Sequence, residues 1–320
     1  MGNFISFVSE LFPPAVTYSS DDMPDMAGKV ILITGANVGI GKEIARILLL
    51  KNAKVYIAAR DKSKAELAID DLKASTGKEA YFIQLDLSNL RKVKAAVEEY
   101  MSKETELHVL FNNGGVLNPP IERLTDDGCD LTFGTNVLGH YYLTTLLLPI
   151  LLSTAKASPE RHVRVIHTSS NSHHLSGINF DALNDTPTRK KLSTETLYSQ
   201  SKSGNIVFSN ELARRYGDQG IVSISVHPGK LPLANKIAVR SYLQRLHLLV
   251  MLNLIKDWFL SPVTKGALTP LYAATSPEGA VLGGQYLIPW ARVGRSRTDT
   301  RDPVVGARLW QWLEEQVRDV

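Results

Sequence analysis

The 320-residue chain predicts an α/β fold in which a doubly wound parallel sheet carries helices on both faces. Apolar β-rich runs recur at 30–34, 54–59, 81–85, 109–111, 163–168, 222–226 and 286–288. Helix-length segments separate them at 40–50, 62–74, 90–102, 130–152 and 198–216. Gly35, Gly39 and Gly41 join the first run directly to the first helix. Parallel neighbours require such crossovers, and ligands then gather beyond the carboxyl ends of the strands.

Composition sets the bounds. Hydrophobic residues make up 44% and charged residues 21% of the chain, enough for one large core. The expected organisation is an N-terminal arm over 1–27, one α/β domain over 28–302 and a C-terminal helix over 303–320. A net charge of +4 is mild and the 36 basic residues are scattered, so a nucleic-acid partner is not expected. Cys129 is the only cysteine, which excludes an internal disulfide and fits a reducing, cytoplasmic setting. No uninterrupted apolar run reaches the roughly 18 residues that span a bilayer. The start, Met1-Gly2-Asn3-Phe4-Ile5-Ser6, matches the loose pattern for myristoylation of Gly2. The plainer reading is an apolar arm (Phe4, Ile5, Phe7, Val8) packing on the domain.

In chain order, the first signal is Thr34-Gly35-Ala36-Asn37-Val38-Gly39-Ile40-Gly41. A strand that turns on glycines into a helix aims unpaired N–H groups and a positive dipole end at one point, which suits a phosphate. Gly-rich turns also serve only to pack a strand on a helix. The second run ends at Ala59-Arg60 where an acid would hold the ribose hydroxyls of NAD, so a basic side chain there favours NADP. A solvated basic loop with Lys62 and Lys64 is the alternative. Asp86 either accepts from an adenine amine or caps the helix near Leu90. Phe111-Asn112-Asn113-Gly114-Gly115 ends the fourth run. Asn136, inside an otherwise apolar helix, implies a kink or a buried hydrogen bond.

The densest signal is Tyr198-Ser199-Gln200-Ser201-Lys202. Positions four apart share a helix face, so the phenol and the ammonium can share a site. Bringing a phenol from a pKa of ~10 toward ~7 takes about 4 kcal/mol of preferential stabilisation of phenolate, which the ammonium and an oxidised nicotinamide could supply. Such a pair also occurs on ordinary surface helices. Here it follows Thr168-Ser169-Ser170 and precedes His227-Pro228-Gly229. Only one of the two adjacent serines should face the site. His173-His174, His162 and His167 lack acidic partners and metal-ligand spacing, so no metal is expected.

These ordered motifs resemble the short-chain dehydrogenase/reductase family, in its retinol-dehydrogenase-like branch. The resemblance implies a Rossmann domain that binds NADP(H) and interconverts a carbonyl and an alcohol on a lipophilic molecule. It implies that Ser170 bonds the substrate oxygen, Tyr198 moves the proton, Lys202 binds nicotinamide ribose and lowers the tyrosine pKa, and an Asn136 carbonyl holds a relay water. It places the nucleotide on Gly35, Asn37, Val38, Gly39, Ile40, Gly41, Arg60, Asp86, Leu87, Asn113, Gly114, Tyr198, Lys202, Pro228 and Gly229. Leu233 stands where the family places a threonine that bonds the carboxamide. That departure raises a rival reading, an NADP(H)-binding regulatory or scaffold protein with little turnover. The apolar stretch over 230–260 reads first as a substrate lid, then as a homodimer contact, then as a peripheral membrane contact.

Overall fold

The computed structural model of the chain describes residue 10, residues 13–229 and residues 263–320. Gly2, the apolar arm residues, Leu233 and the expected lid lie outside the described residues. Strands β1 (Val30–Thr34), β2 (Lys54–Ala59), β3 (Tyr81–Gln84), β4 (Val109–Asn112), β5 (Val163–Thr168), β6 (Ile221–Val226), β7 (Tyr286–Ile288) and β8 (Arg292–Val293) form one sheet. Its order is β3-β2-β1-β4-β5-β6-β7-β8. Every pairing is parallel except β7 with β8, where Leu287 opposes Val293. The two-residue β8 is the one strand that the hydrophobic pattern does not announce, being too short to show a period.

Strand order reverses between β1 and β4, so the connections leaving their carboxyl ends part and open a crevice there. Both Val55 and Val109 pair with Ile31, which fixes the two ends side by side. Alternation divides the core. Ile31 and Ile33 face helices α1 (Gly39–Leu50) and α7 (Val263–Thr275), in a cluster with Ile44, Leu48 and Leu271. Val30 and Leu32 face the other layer, with Val93, Leu147, Phe208 and Trp310.

Polar residues start the helices where the sequence supplies them. Asp61 caps α2 (Lys62–Thr76), Asn89 caps α3 (Leu90–Lys103) and Ser193 caps α6 (Thr194–Tyr216), each accepting a backbone N–H. Asp86 therefore does not cap α3; it accepts from the amide and hydroxyl of Ser88 instead. Helix α4 spans Leu131–Ala157 and is long and apolar enough to cross a bilayer, but 72% of its most apolar window is buried inside the protein. Its place is in the core, under β4 and β5.

Between β5 and α6 the chain forms two 3-10 turns and the one-turn helix α5 (Pro187–Lys190). Arg189 pins this insertion: buried to 1% exposure, it donates to the Ile121 carbonyl at 2.7 Å and pairs with Asp130 at 3.3 Å and Asp185 at 3.0 Å. Asp130 in turn accepts the Thr132 and Phe133 amides that open α4. The C-terminal helix α8 (Pro303–Val317) lays Leu309, Trp310 and Leu313 into the core beside α6, so it belongs to the same body.

Candidate active site

The glycine turn follows β1. Gly35 adopts φ +66° and Gly39 φ +59°, conformations that cost an L side chain ~1–2 kcal/mol. A Cβ on Gly35 would sit 2.7 Å from the Gly114 Cα, and one on Gly41 would sit 2.7 Å from the Asn113 side chain. Space above Gly39 is open. Helix α1 begins there behind Val38, which offers no side-chain cap, so its first amides are left without a capping partner. Such a turn at a helix start suits a phosphate group, and a nicotinamide dinucleotide fits its donor set. A Gly35→Ala protein should bind a nicotinamide dinucleotide about 5–30-fold more weakly than the parent, the worth of the left-handed backbone cost. Fluorescence titration beside a melting curve checks this.

Thr34 locks the turn to β4. Its hydroxyl oxygen accepts the Asn113 amide at 2.9 Å and the Gly114 amide at 2.8 Å, while the Asn113 side chain donates to the Thr34 carbonyl. Gly114 fits a tight spot, since a Cβ would come within 3.2 Å of Leu87 and 3.3 Å of the Gly35 amide. Leu87 is buried beneath it. On the far side, Arg60 is exposed, behind the buried Ala59. Lys62 and Lys64 pair with Glu66 and Asp61, whereas the Arg60 guanidinium has no ion pair among the described residues. Arg60, Asp86 and Lys92 line a hollow of about 290 Å³.

Asn136 sits in a π-helical turn, Gly134–Leu138, and makes the buried hydrogen bond that was one of its two expected roles. Its side chain holds the loop after β4 by accepting the Val116 amide at 2.8 Å and donating to the Val116 carbonyl and the Ser201 hydroxyl. Its carbonyl receives Asn205 Nδ2 at 2.7 Å and His140 Nδ1 at 3.0 Å. Two donors engage both lone pairs of that oxygen, so the relay water expected on the Asn136 carbonyl finds no acceptor position left there.

The serine pair divides as strand alternation demands. Ser169 is buried and donates to the Lys202 carbonyl at 2.8 Å, whereas Ser170 is partly open and lies beside the Tyr198 phenol. Helix α6 presents Tyr198 and Lys202 one turn apart, with the ammonium 5.6 Å from the centre of the phenol ring and donating to the Thr168 carbonyl at 2.9 Å. The expected lowering of the Tyr198 pKa is not found. Burial pushes the phenol up to about 12 against the downward pull of Ser170, and burial brings Lys202 down to about 8. Desolvation of the buried phenol is the larger effect, and the Ser170 hydroxyl offsets only part of it. Pro228 and Gly229 end β6, with Gly229 at φ +95° against the Trp290 ring. His227 is buried and takes the Gly229 amide weakly at 3.4 Å. His173 donates locally to the Ser170 carbonyl, and His162 to that of Glu160. Among the described residues no cluster suited to a metal ion occurs.

Sequence comparison supplies the decisive observation. The chain is 51% identical over its whole length to a short-chain dehydrogenase/reductase of Armillaria gallica, itself covered end to end. The chain belongs to the short-chain dehydrogenase/reductase family. The short chain dehydrogenase profile matches residues 29–182. Mouse retinol dehydrogenase 12 is 37% identical, over 88% of this chain and 84% of that one. An uncharacterised protein from Mycobacterium paratuberculosis superposes with a TM-score of 0.71 at 28% identity, over 94% of this chain and 97% of that one. Membership in this family makes the chain an oxidoreductase of the kind that uses nicotinamide cofactors.

Sequence reasoning passed over Thr34 as a side chain, and missed His140, Ser201 and Asn205. His140 carried the signal that exposed Asn136, a polar residue within an apolar helix, but no motif drew attention to it.

Proposed function

We propose that this chain is an NADP(H)-dependent oxidoreductase that interconverts a carbonyl and an alcohol on a lipophilic small molecule. The observation that carries the reading is the convergence of Ser170, Tyr198 and Lys202 at the carboxyl end of β5, a parallel strand one removed from β1, whose own carboxyl end carries the glycine turn. When bound, the nicotinamide is the source or sink of the hydride. In reduction the carbonyl carbon gains that hydride, the π electrons move to oxygen, and the oxygen takes the proton of the Tyr198 hydroxyl. A phenol with its pKa near 12 is held in the protonated form that this step needs. Ser170 donates to the same oxygen, and Lys202, within reach of the ring, offsets the phenolate left behind.

Arg60 supports NADP over NAD, being the one basic side chain of its loop without an ion pair among the described residues. Exposed Leu117 and Leu175, from the connections after β4 and β5, support a lipophilic substrate at the rim. Initial rates with NADPH against a panel of apolar aldehydes and ketones test the reading. Turnover is expected; tight NADPH binding with no turnover on any carbonyl would favour the regulatory role that Leu233 raises. Arg60→Asp should move preference toward NADH by roughly 10–100-fold, the worth of one charge-assisted hydrogen bond. An unchanged NADPH to NADH ratio of kcat/KM would remove Arg60 from the account.

A further inference from the structure

We infer that His140 is a positioning residue that couples the nucleotide turn to the π-helical turn at Asn136 by fixing where the Thr34 hydroxyl proton points. The inference rests on the nucleotide-binding reading above, and it follows from the hydrogen-bond roles open to each atom. His140 is 1% exposed, and burial lowers its pKa to about 4, so the ring is neutral at ordinary pH. Its Nδ1 lies 3.0 Å from the Asn136 carbonyl, which can only accept. The proton is therefore on Nδ1, and Nε2 is a bare acceptor.

Thr34 Oγ1 lies 2.8 Å from Nε2 and 3.2 Å from the Phe111 carbonyl. Either acceptor could take its one proton. The shorter contact leads to an atom that has no hydrogen to give, so Thr34 donates to His140. That leaves both lone pairs of the hydroxyl for the amides of Asn113 and Gly114. Those two residues hold the spacing against Gly35, where a Cβ would find the Gly114 Cα at 2.7 Å. One imidazole thus sets the amides beneath the nucleotide and also engages the Asn136 carbonyl, whose residue bridges to Ser201 on the helix that carries Tyr198 and Lys202. No other side chain among these contacts touches both halves.

The tautomer can be read without any substitution. In a two-bond 1H–15N spectrum of the protein labelled with 15N-histidine, a buried imidazole is expected as the neutral Nδ1–H form, and His140→Gln should remove that signal. The Nε2–H form at this residue would overturn the inference.

The coupling is read by NADPH titration and kcat on Thr34→Val, His140→Leu, His140→Gln and the Thr34→Val/His140→Leu pair. His140→Leu is expected to weaken NADPH about 5–30-fold and to lower kcat as well. His140→Gln, which can present an amide oxygen to Thr34, should recover most of the affinity. The paired variant should bind no worse than about twofold beyond the weaker single variant, because both substitutions remove one interaction. Losses that multiply, or a leucine variant that binds as the parent does with only a lower Tm, would show a packing role and overturn the inference. Failure of the parent to bind NADPH would instead sink the nucleotide reading while leaving the tautomer measurement to decide this one.

Discussion

Tyr198→Phe should lose ~10²–10⁴-fold in kcat, the usual worth of a positioned proton donor, while NADPH affinity stays within a few-fold of the parent. The phenol is the group that releases its proton to the substrate oxygen in the proposed step, beside the Ser170 hydroxyl. Phenylalanine keeps the ring and its contact with the Lys202 ammonium, 5.6 Å from the ring centre, and removes only the hydroxyl. Stopped-flow single turnovers separate this loss from slow product release. A variant that retained a tenth or more of parental kcat would mean that another group gives the proton.

Lys202→Met should go the opposite way in stability and the same way in activity. The ammonium is 5% exposed, and its pKa falls from 10.5 to about 8, so at pH 7 the folded protein carries a charge that its surroundings resist. Methionine fills similar volume without that charge, and a gain of about 1–3 kcal/mol at pH 7 is expected once the lost bond to the Thr168 carbonyl is discounted. The sign with pH follows from proton counts. Between about pH 8 and pH 10.5 the unfolded lysine holds more proton than the folded one, so parental stability attributable to this group rises through that window. The advantage of Lys202→Met should therefore be full below pH 8 and vanish as pH approaches 10.5. Urea melts at pH 7 and pH 10 check it, and a variant less stable than the parent at pH 7 would show that the ammonium is well solvated after all.

The division between what the residues announced and what they withheld has a physical basis. Strands such as 163–168 and 286–288 are bounded by turn residues and buried on both faces, so their apolar runs mark them directly. The glycine turn and the Tyr198–Lys202 pair depend on local spacing, which one dimension records. Asn136 was legible as an anomaly in an apolar helix, though the π-turn that resolves it was not. The links that complete the crevice are long-range: Thr34 reaches His140 across 106 positions, and Asn136 reaches Asn205 across 69. Nothing in the neighbourhood of either residue states such a pairing. The Tyr198 pKa is hidden for a related reason, because the pull of a lysine can be read from spacing, whereas the depth to which the phenol is buried requires the folded chain.

The most direct measurement follows the hydride itself. Parent protein is incubated with an apolar aldehyde or ketone that it turns over and with NADPH carrying deuterium at C4, each C4 epimer in turn, and the alcohol is weighed by mass spectrometry. The account predicts one deuterium on the former carbonyl carbon from one epimer only, with transfer all but abolished in Tyr198→Phe. Alcohol formed without label from either epimer, or with equal label in the parent and in Tyr198→Phe, would contradict it.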